Sequence, residues 1–288
     1  MTATPENVTG PVAHHAEGPV WWPAWGGLRF VDMLAGDLLT VRPDGAVDRR
    51  HVGDVAALVR PRAAGGFVVA LEREVAVADD DDGPLRPLAR LDDGPAVRLN
   101  EGATAPDGAL YAGGMVTGPG ATASLHRIDP DGTTRVVLDG IGCSNGLGFS
   151  PDGTLAYYVD TAAHRVDLLD VVAASVDPRG LVGRRPFATI DPADGVPDGL
   201  AVDAEGGVWV ALWGGSVVRR YAPDGRPDAE VRLPASQVTA CAFGGERLDT
   251  LYVTTSRQGL AAGAEPEAGS LFRVEVGVRG LPALPFAG

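Results

Sequence analysis

Short apolar or β-branched runs, separated by turns rich in glycine and aspartate, recur along the chain. Residues 28–31, 67–71, 110–112, 156–159, 208–212 and 251–254 are each too brief for a helix and read as strands. Before each lies a turn, and before that turn another apolar run. The tripeptide Pro-Asp-Gly occurs six times, beginning at Pro43, Pro106, Pro130, Pro151, Pro197 and Pro223. Five copies sit between apolar runs, where proline presets φ and glycine supplies a positive φ, so they predict tight turns between antiparallel strands. The copy at Asp198 falls at a different place in the repeat.

Aligning the runs yields six units that begin near Glu17, Ala57, Glu101, Asn145, Asp198 and Thr239, at intervals of 40 to 53 residues. That period suits a four-stranded propeller blade. No sustained apolar stripe of helical period interrupts it. The pattern predicts an all-β chain: one six-bladed β-propeller over residues 1–288, four antiparallel strands per blade, with residues 1–15 closing the last blade.

Composition sharpens the picture. All 24 basic residues are arginine, so chemistry that needs a lysine nucleophile or base is excluded. A net charge of −14 without any block of arginines argues against a nucleic-acid partner. The polar start, which includes His14, His15 and Glu17, lacks the apolar core of a signal peptide, and no stretch is apolar enough to span a membrane. The expectation is a cytoplasmic protein, a monomer or weak homo-oligomer, that acts on a small molecule. Cys143 and Cys241 form no paired motif and are read as reduced, buried thiols.

In a propeller the innermost strands line a central channel, so residues of one repeat phase converge there. At that phase stand Glu17-Gly18, Glu101-Gly102, Asn145-Gly146 and Asp198-Gly199. The glycines are read as places where backbone approaches a ligand closely. Glu17, Asn145 and Asp198 supply two carboxylates and an amide carbonyl. Such hard oxygen donors suit Ca²⁺, Mg²⁺ or Mn²⁺ better than zinc, which usually recruits Cys or His. One divalent ion in the channel is therefore expected, Ca²⁺ first, with Mg²⁺, Mn²⁺ or Zn²⁺ as alternatives.

Segments 16–21, 98–102, 144–153, 157–160, 197–203, 208–213 and 238–254, among them Glu17-Gly18-Pro19-Val20-Trp21 and Ser144-Asn145-Gly146-Leu147, resemble in order the SMP-30/gluconolactonase/luciferin-regenerating family. The resemblance covers about residues 16–257 and implies a six-bladed propeller holding one divalent ion on Glu17, Asn145 and Asp198. It further implies that Asp198 is the general base of a lactone or ester hydrolysis. Arg98 and Asn100 match the family's substrate-contacting pair; Glu101, where relatives carry aspartate, is expected to support the site or contact it through water. Some sugar-lactone-processing relatives carry an acid in the loop that follows residue 115. Residues 116–124 contain none, which favours a less hydroxylated lactone or ester.

Three readings of function follow: a metal-dependent lactonase, a propeller that binds Ca²⁺ or a small ligand without turnover, and an enzyme of specialised metabolism that reuses the metal site. No serine-hydrolase elbow surrounds Ser144. His14 and His15 are assigned to the ring-closing segment rather than to the metal. The acidic run Asp79 to Asp82 is read as a solvated hairpin loop with weak Ca²⁺ binding left open.

Overall fold

The computed structural model describes residues 4–288; residues 1–3 of the N-terminal segment lie outside them. Among the described residues the strands assort into six four-stranded sheets, arranged as the blades of a propeller. The inner strands of blades one to six are Ala16–Trp22, Ala56–Pro61, Val97–Thr104, Ser144–Phe149, Val196–Val202 and Val238–Gly244. The first five blades take four consecutive antiparallel strands each. The sixth joins Val238–Gly244, Thr250–Thr255 and Ser270–Glu275 to Glu6–Pro11 from the start of the chain. Glu6 pairs with Arg273 and Asn7 with Phe272, so the two ends of the chain share one sheet and close the ring.

The turns follow the local chemistry. In five Pro-Asp-Gly copies the aspartate side chain accepts the N–H two residues on, at 2.9 to 3.2 Å, and the glycine has φ between +69° and +85°. The sixth copy is strand: Pro197, Asp198 and Gly199 lie within Val196–Val202.

Each hydrophobic cluster fills one seam between neighbouring blades rather than a common centre. Tyr111 faces Phe149 across the third seam, and Trp209 meets Phe243 edge-on at 6.2 Å across the fifth. Removing these rings from water holds blade to blade.

All six inner strands depart from regular pairing at the same phase. The register shifts fall between Glu17 and Val20, Ala56 and Leu58, Leu99 and Glu101, Ser144 and Leu147, Pro197 and Leu200, and Val238 and Ala240. A bulge frees a residue from the ladder and re-aims its side chain. At the other ends of the inner strands the C-terminal tail crosses the ring: Gly280 bridges to Asp203, and Phe286 N–H donates to Pro61 O at 2.8 Å. Between tail and strands lies an apolar cavity of about 410 Å³, walled by Leu147, Phe149, Leu200, Val202 and Phe243.

Candidate metal centre and substrate mouth

The bulges bring acids from three blades together. Glu17, Glu101 and Asp198 are 3%, 5% and 5% exposed, which places three carboxylates inside one channel. The Glu17 carboxyl is pushed well above the usual range by burial and then by repulsion from Asp198 and Glu101. Asp198 is raised in the same way, by burial and by Glu101, with partial relief from the Asn145 amide and the Gly199 N–H. Burial also raises Glu101, but Arg60 opposes it: Arg60 Nη2 donates to Glu101 Oε1 at 2.8 Å and to Gly102 O at 2.5 Å. One carboxylate of the three thus has a resident cation, and the other two repel each other.

The amide of Asn145 is oriented by the protein. Its Nδ2 donates to Thr161 Oγ1 at 3.0 Å, and that hydroxyl in turn donates to Pro197 O at 2.8 Å. Asn145 Oδ1 is therefore the free end, and it is buried without a partner, as is Asp198 Oδ1. Native proteins leave few buried acceptors unpaired, because each costs about 1–3 kcal/mol. Two orphaned oxygens beside two mutually repelling carboxylates form a donor set that fits a divalent cation. Among the described residues no three side chains of the His, Cys, Asp and Glu types form a metal-binding group.

Arg98 and Asn100 meet above this set. Arg98 Nη1 donates to Asn100 Oδ1 at 2.8 Å and to Leu99 O at 2.9 Å, while Asn100 Nδ2 donates to Ser144 O at 2.9 Å. Asn100 is thus engaged at both ends and braces Arg98 against blade four. The Arg98 guanidinium also contacts the thioethers of Met33 at 3.1 Å and Met115 at 3.2 Å. Among the described residues no carboxylate lies within ion-pair distance of it, and burial lowers its pKa. Most other arginines of the chain are matched to acids.

His15, two residues before Glu17, is 6% exposed. Its Nδ1 lies 2.8 Å from Ser256 Oγ, its Nε2 3.9 Å from Glu17 Oε1, and its ring stands edge-on to Trp213 at 5.7 Å. Burial, and then Arg98, lower its pKa to about 4, so the ring is neutral and its contact with Glu17 is no ion pair.

The structure adds to three sequence readings. The glycines that follow the channel acids are required by packing between strands or by backbone conformation. A Cβ on Gly146 would lie 2.6 Å from Leu200 N, one on Gly199 2.5 Å from Ala240 Cβ, and one on Gly102 1.9 Å from Tyr111 O. The fourth, Gly18, is required by its φ of +54°. The acidic run lies in the exposed loop between Glu74–Ala78 and Arg86–Arg90, and two of its acids are paired: Asp79 with Arg62 and Arg86, Asp81 with Arg29. Cys143 is a free thiol only half-buried by surface area, with its pKa pushed up to about 12; Cys241 is free and fully buried. Thr161, Arg60 and Ser256, which orient the site, carried no sequence signal because each belongs to a different repeat phase from the residue it holds.

A six-bladed propeller whose inner strands bulge together around two carboxylates and an oriented amide defines the class. The chain belongs to the SMP-30/gluconolactonase/LRE-like family, which it matches over residues 15–257. It is 33% identical to regucalcin of Oryctolagus cuniculus over 99% of this chain and 97% of that protein. It is 35% identical to pentonolactonase XacC of Haloferax volcanii over 92% of each. Among solved structures it resembles a calcium-binding protein, regucalcin, from Agrobacterium tumefaciens, with a TM-score of 0.89, 28% identity, and coverage of 98% of this chain and 96% of that one.

Proposed function

We propose that the chain is a divalent-ion-dependent hydrolase of lactones that carry few hydroxyl groups. The observation that carries this reading is the pair of buried, unpartnered oxygens, Asn145 Oδ1 and Asp198 Oδ1, next to the raised carboxyls of Glu17 and Asp198. Glu17, Asn145 and Asp198 would hold the ion, which when bound supplies polarisation of the lactone carbonyl and charge for the developing oxyanion. Asp198 takes the proton of the attacking water as its oxygen adds to the carbonyl carbon, and returns it to the ring oxygen as the C–O bond breaks. Lactone and water thereby become one hydroxy acid. Arg98, braced by Asn100 and free of any carboxylate, orients the carbonyl and later the product carboxylate. The pentonolactonase relative supports the reaction class. The substrate preference rests on the acid-free residues 116–124 and on the thioethers of Met33 and Met115 against the Arg98 guanidinium.

A pH-stat assay over γ- and δ-lactones, with chelator, metal add-back and Asp198→Ala, tests the reading. Turnover should fall at least about 100-fold in the variant, the range for loss of a general base. Turnover untouched by chelator or by Asp198→Ala would overturn the mechanism. An ion bound without hydrolysis of any lactone would favour the second reading, a binder, which the calcium-binding relative supports.

A further inference from the structure

We propose that the apolar cavity beneath the C-terminal tail is a second binding site, for a neutral and mainly apolar small molecule that carries one hydrogen-bonding group. Each blade supplies a wall residue: Val20, Arg60, Thr104, Leu147, Leu200 and Phe243. All six stand at or after the bulge of their inner strand, towards the tail, so the cavity shares the channel with the ion site but none of Glu17, Asn145 and Asp198. Its apolar residues are turned partly onto this space. Val20, Leu147, Phe149, Leu200, Val202 and Phe243 are 6% to 9% exposed, whereas Val208 and Val210, in the seam with Leu200 and Val202, are at 0%. Protein interiors rarely leave such space unfilled, and about 410 Å³ falls within the roughly 300–1,000 Å³ of small-molecule sites.

Charge and hydrogen bonding define the occupant. Arg60 is the cation of the wall, and its guanidinium is already engaged by Glu101 Oε1 at 2.8 Å and by the carbonyls of Val59 and Gly102. Asp152 stands exposed at the rim, where bonds from Ser150 and Thr154 lower its pKa and keep it ionised. An anion entering here would leave its hydration, find the one cation matched, and pass a negative charge on the way. Thr104 supplies the polar contact: it is 4% exposed, and its hydroxyl is buried without a partner, a state that costs stability until something bonds it. The roof limits the occupant to a small molecule. Gly280 N–H donates to Leu248 O and Phe286 N–H to Pro61 O, both at 2.8 Å, which pins the tail to blade six at one end and to blade two at the other. Between the pins Leu281 to Leu284 line the cavity, and residues 281–285 make no backbone hydrogen bond among the described residues. Side-chain packing alone holds that stretch, so it can lift for a ligand while both pins stay in place.

The test uses two probes of one scaffold, neutral N-phenyl-1-naphthylamine and its 8-sulfonate, titrated by fluorescence into the full chain with and without chelator. The neutral probe should bind at one saturable site and the sulfonate at least about tenfold more weakly, because only the sulfonate brings an unmatched charge. Ala242→Trp, which fills the cavity from blade six, and Leu284→Arg, which charges the roof, should each weaken the neutral probe at least about tenfold. Methyl resonances of Leu147, Leu200 and Leu284 in the wild type should shift as the neutral probe is added, a readout that needs no variant to fold. No saturable binding, a sulfonate bound as tightly, or methyl shifts confined to other residues would overturn the proposal. Binding abolished by chelator would place the probe at the ion site and overturn it too. Since the cavity shares no donor with that site, failure of the chain to bind a metal ion would count against the proposed function alone.

Discussion

Replacing Gly199 by alanine isolates the reason for the glycines that follow the channel acids. The added methyl would meet Ala240 Cβ at 2.5 Å, Ala240 Cα at 2.8 Å and Thr239 O at 3.0 Å. Two of these three atoms are backbone of the neighbouring inner strand, so relief requires blades five and six to separate. Overpacking of this kind costs about 1–3 kcal/mol, offset in part by the roughly 0.4–1 kcal/mol that alanine gains by restricting the unfolded chain. The net loss, up to about 2.6 kcal/mol, should lower the melting temperature by up to roughly 10 °C at about 2–4 °C per kcal/mol. Gly53 provides the matched control, because its φ is not positive and a Cβ there meets nothing closer than 3.5 Å, from Leu71 Cδ2. Gly53→Ala should leave stability unchanged or raise it. Calorimetric melts of the metal-free variants read both effects. If Gly199→Ala melts with the wild type yet loses ligand affinity, the packing argument fails and the glycine exists for the ligand.

Two further outcomes follow from the channel charges. Arg60→Met strands the Glu101 carboxylate, whose side chain is 6% exposed, and should cost about 3–5 kcal/mol in denaturant unfolding; adding Glu101→Gln should restore most of it. A double variant no better than the single one would show that the pair is not the source of the loss. The raised carboxyls of Glu17 and Asp198 bind protons in the folded state at pH values where the unfolded chain has released them. The metal-free protein should therefore lose stability as pH rises from about 4.5 through the raised values, and Glu17→Gln should flatten that dependence. A profile that rises with pH in the metal-free wild type would contradict the sign.

Much of this architecture was legible because it is local. The five turn-forming Pro-Asp-Gly copies carry their own geometry in proline φ, an aspartate side-chain bond and a glycine of positive φ. The repeat interval then counted the blades, and its phase singled out Glu17, Asn145 and Asp198 as neighbours in the channel. The six four-stranded sheets of the structure agree with that count.

What only the tertiary structure decided is how those residues meet their surroundings. A bulge at one phase of all six inner strands is invisible in sequence, since pairing register depends on the partner strand as well as on the residues themselves. That Asn145 offers its oxygen and not its nitrogen depends on Thr161, in the connection after the adjoining strand, and on Pro197 of the next blade. That Glu101 is neutralised within the channel depends on Arg60, from another blade. His15 reads in the sequence as part of a ring-closing segment, and it is the meeting of the chain's two ends in one blade that sets it between Ser256 and Glu17. Spacing along the chain specifies which groups reach the channel; their ionisation and orientation are set by burial and by partners contributed from other blades, which no local pattern encodes.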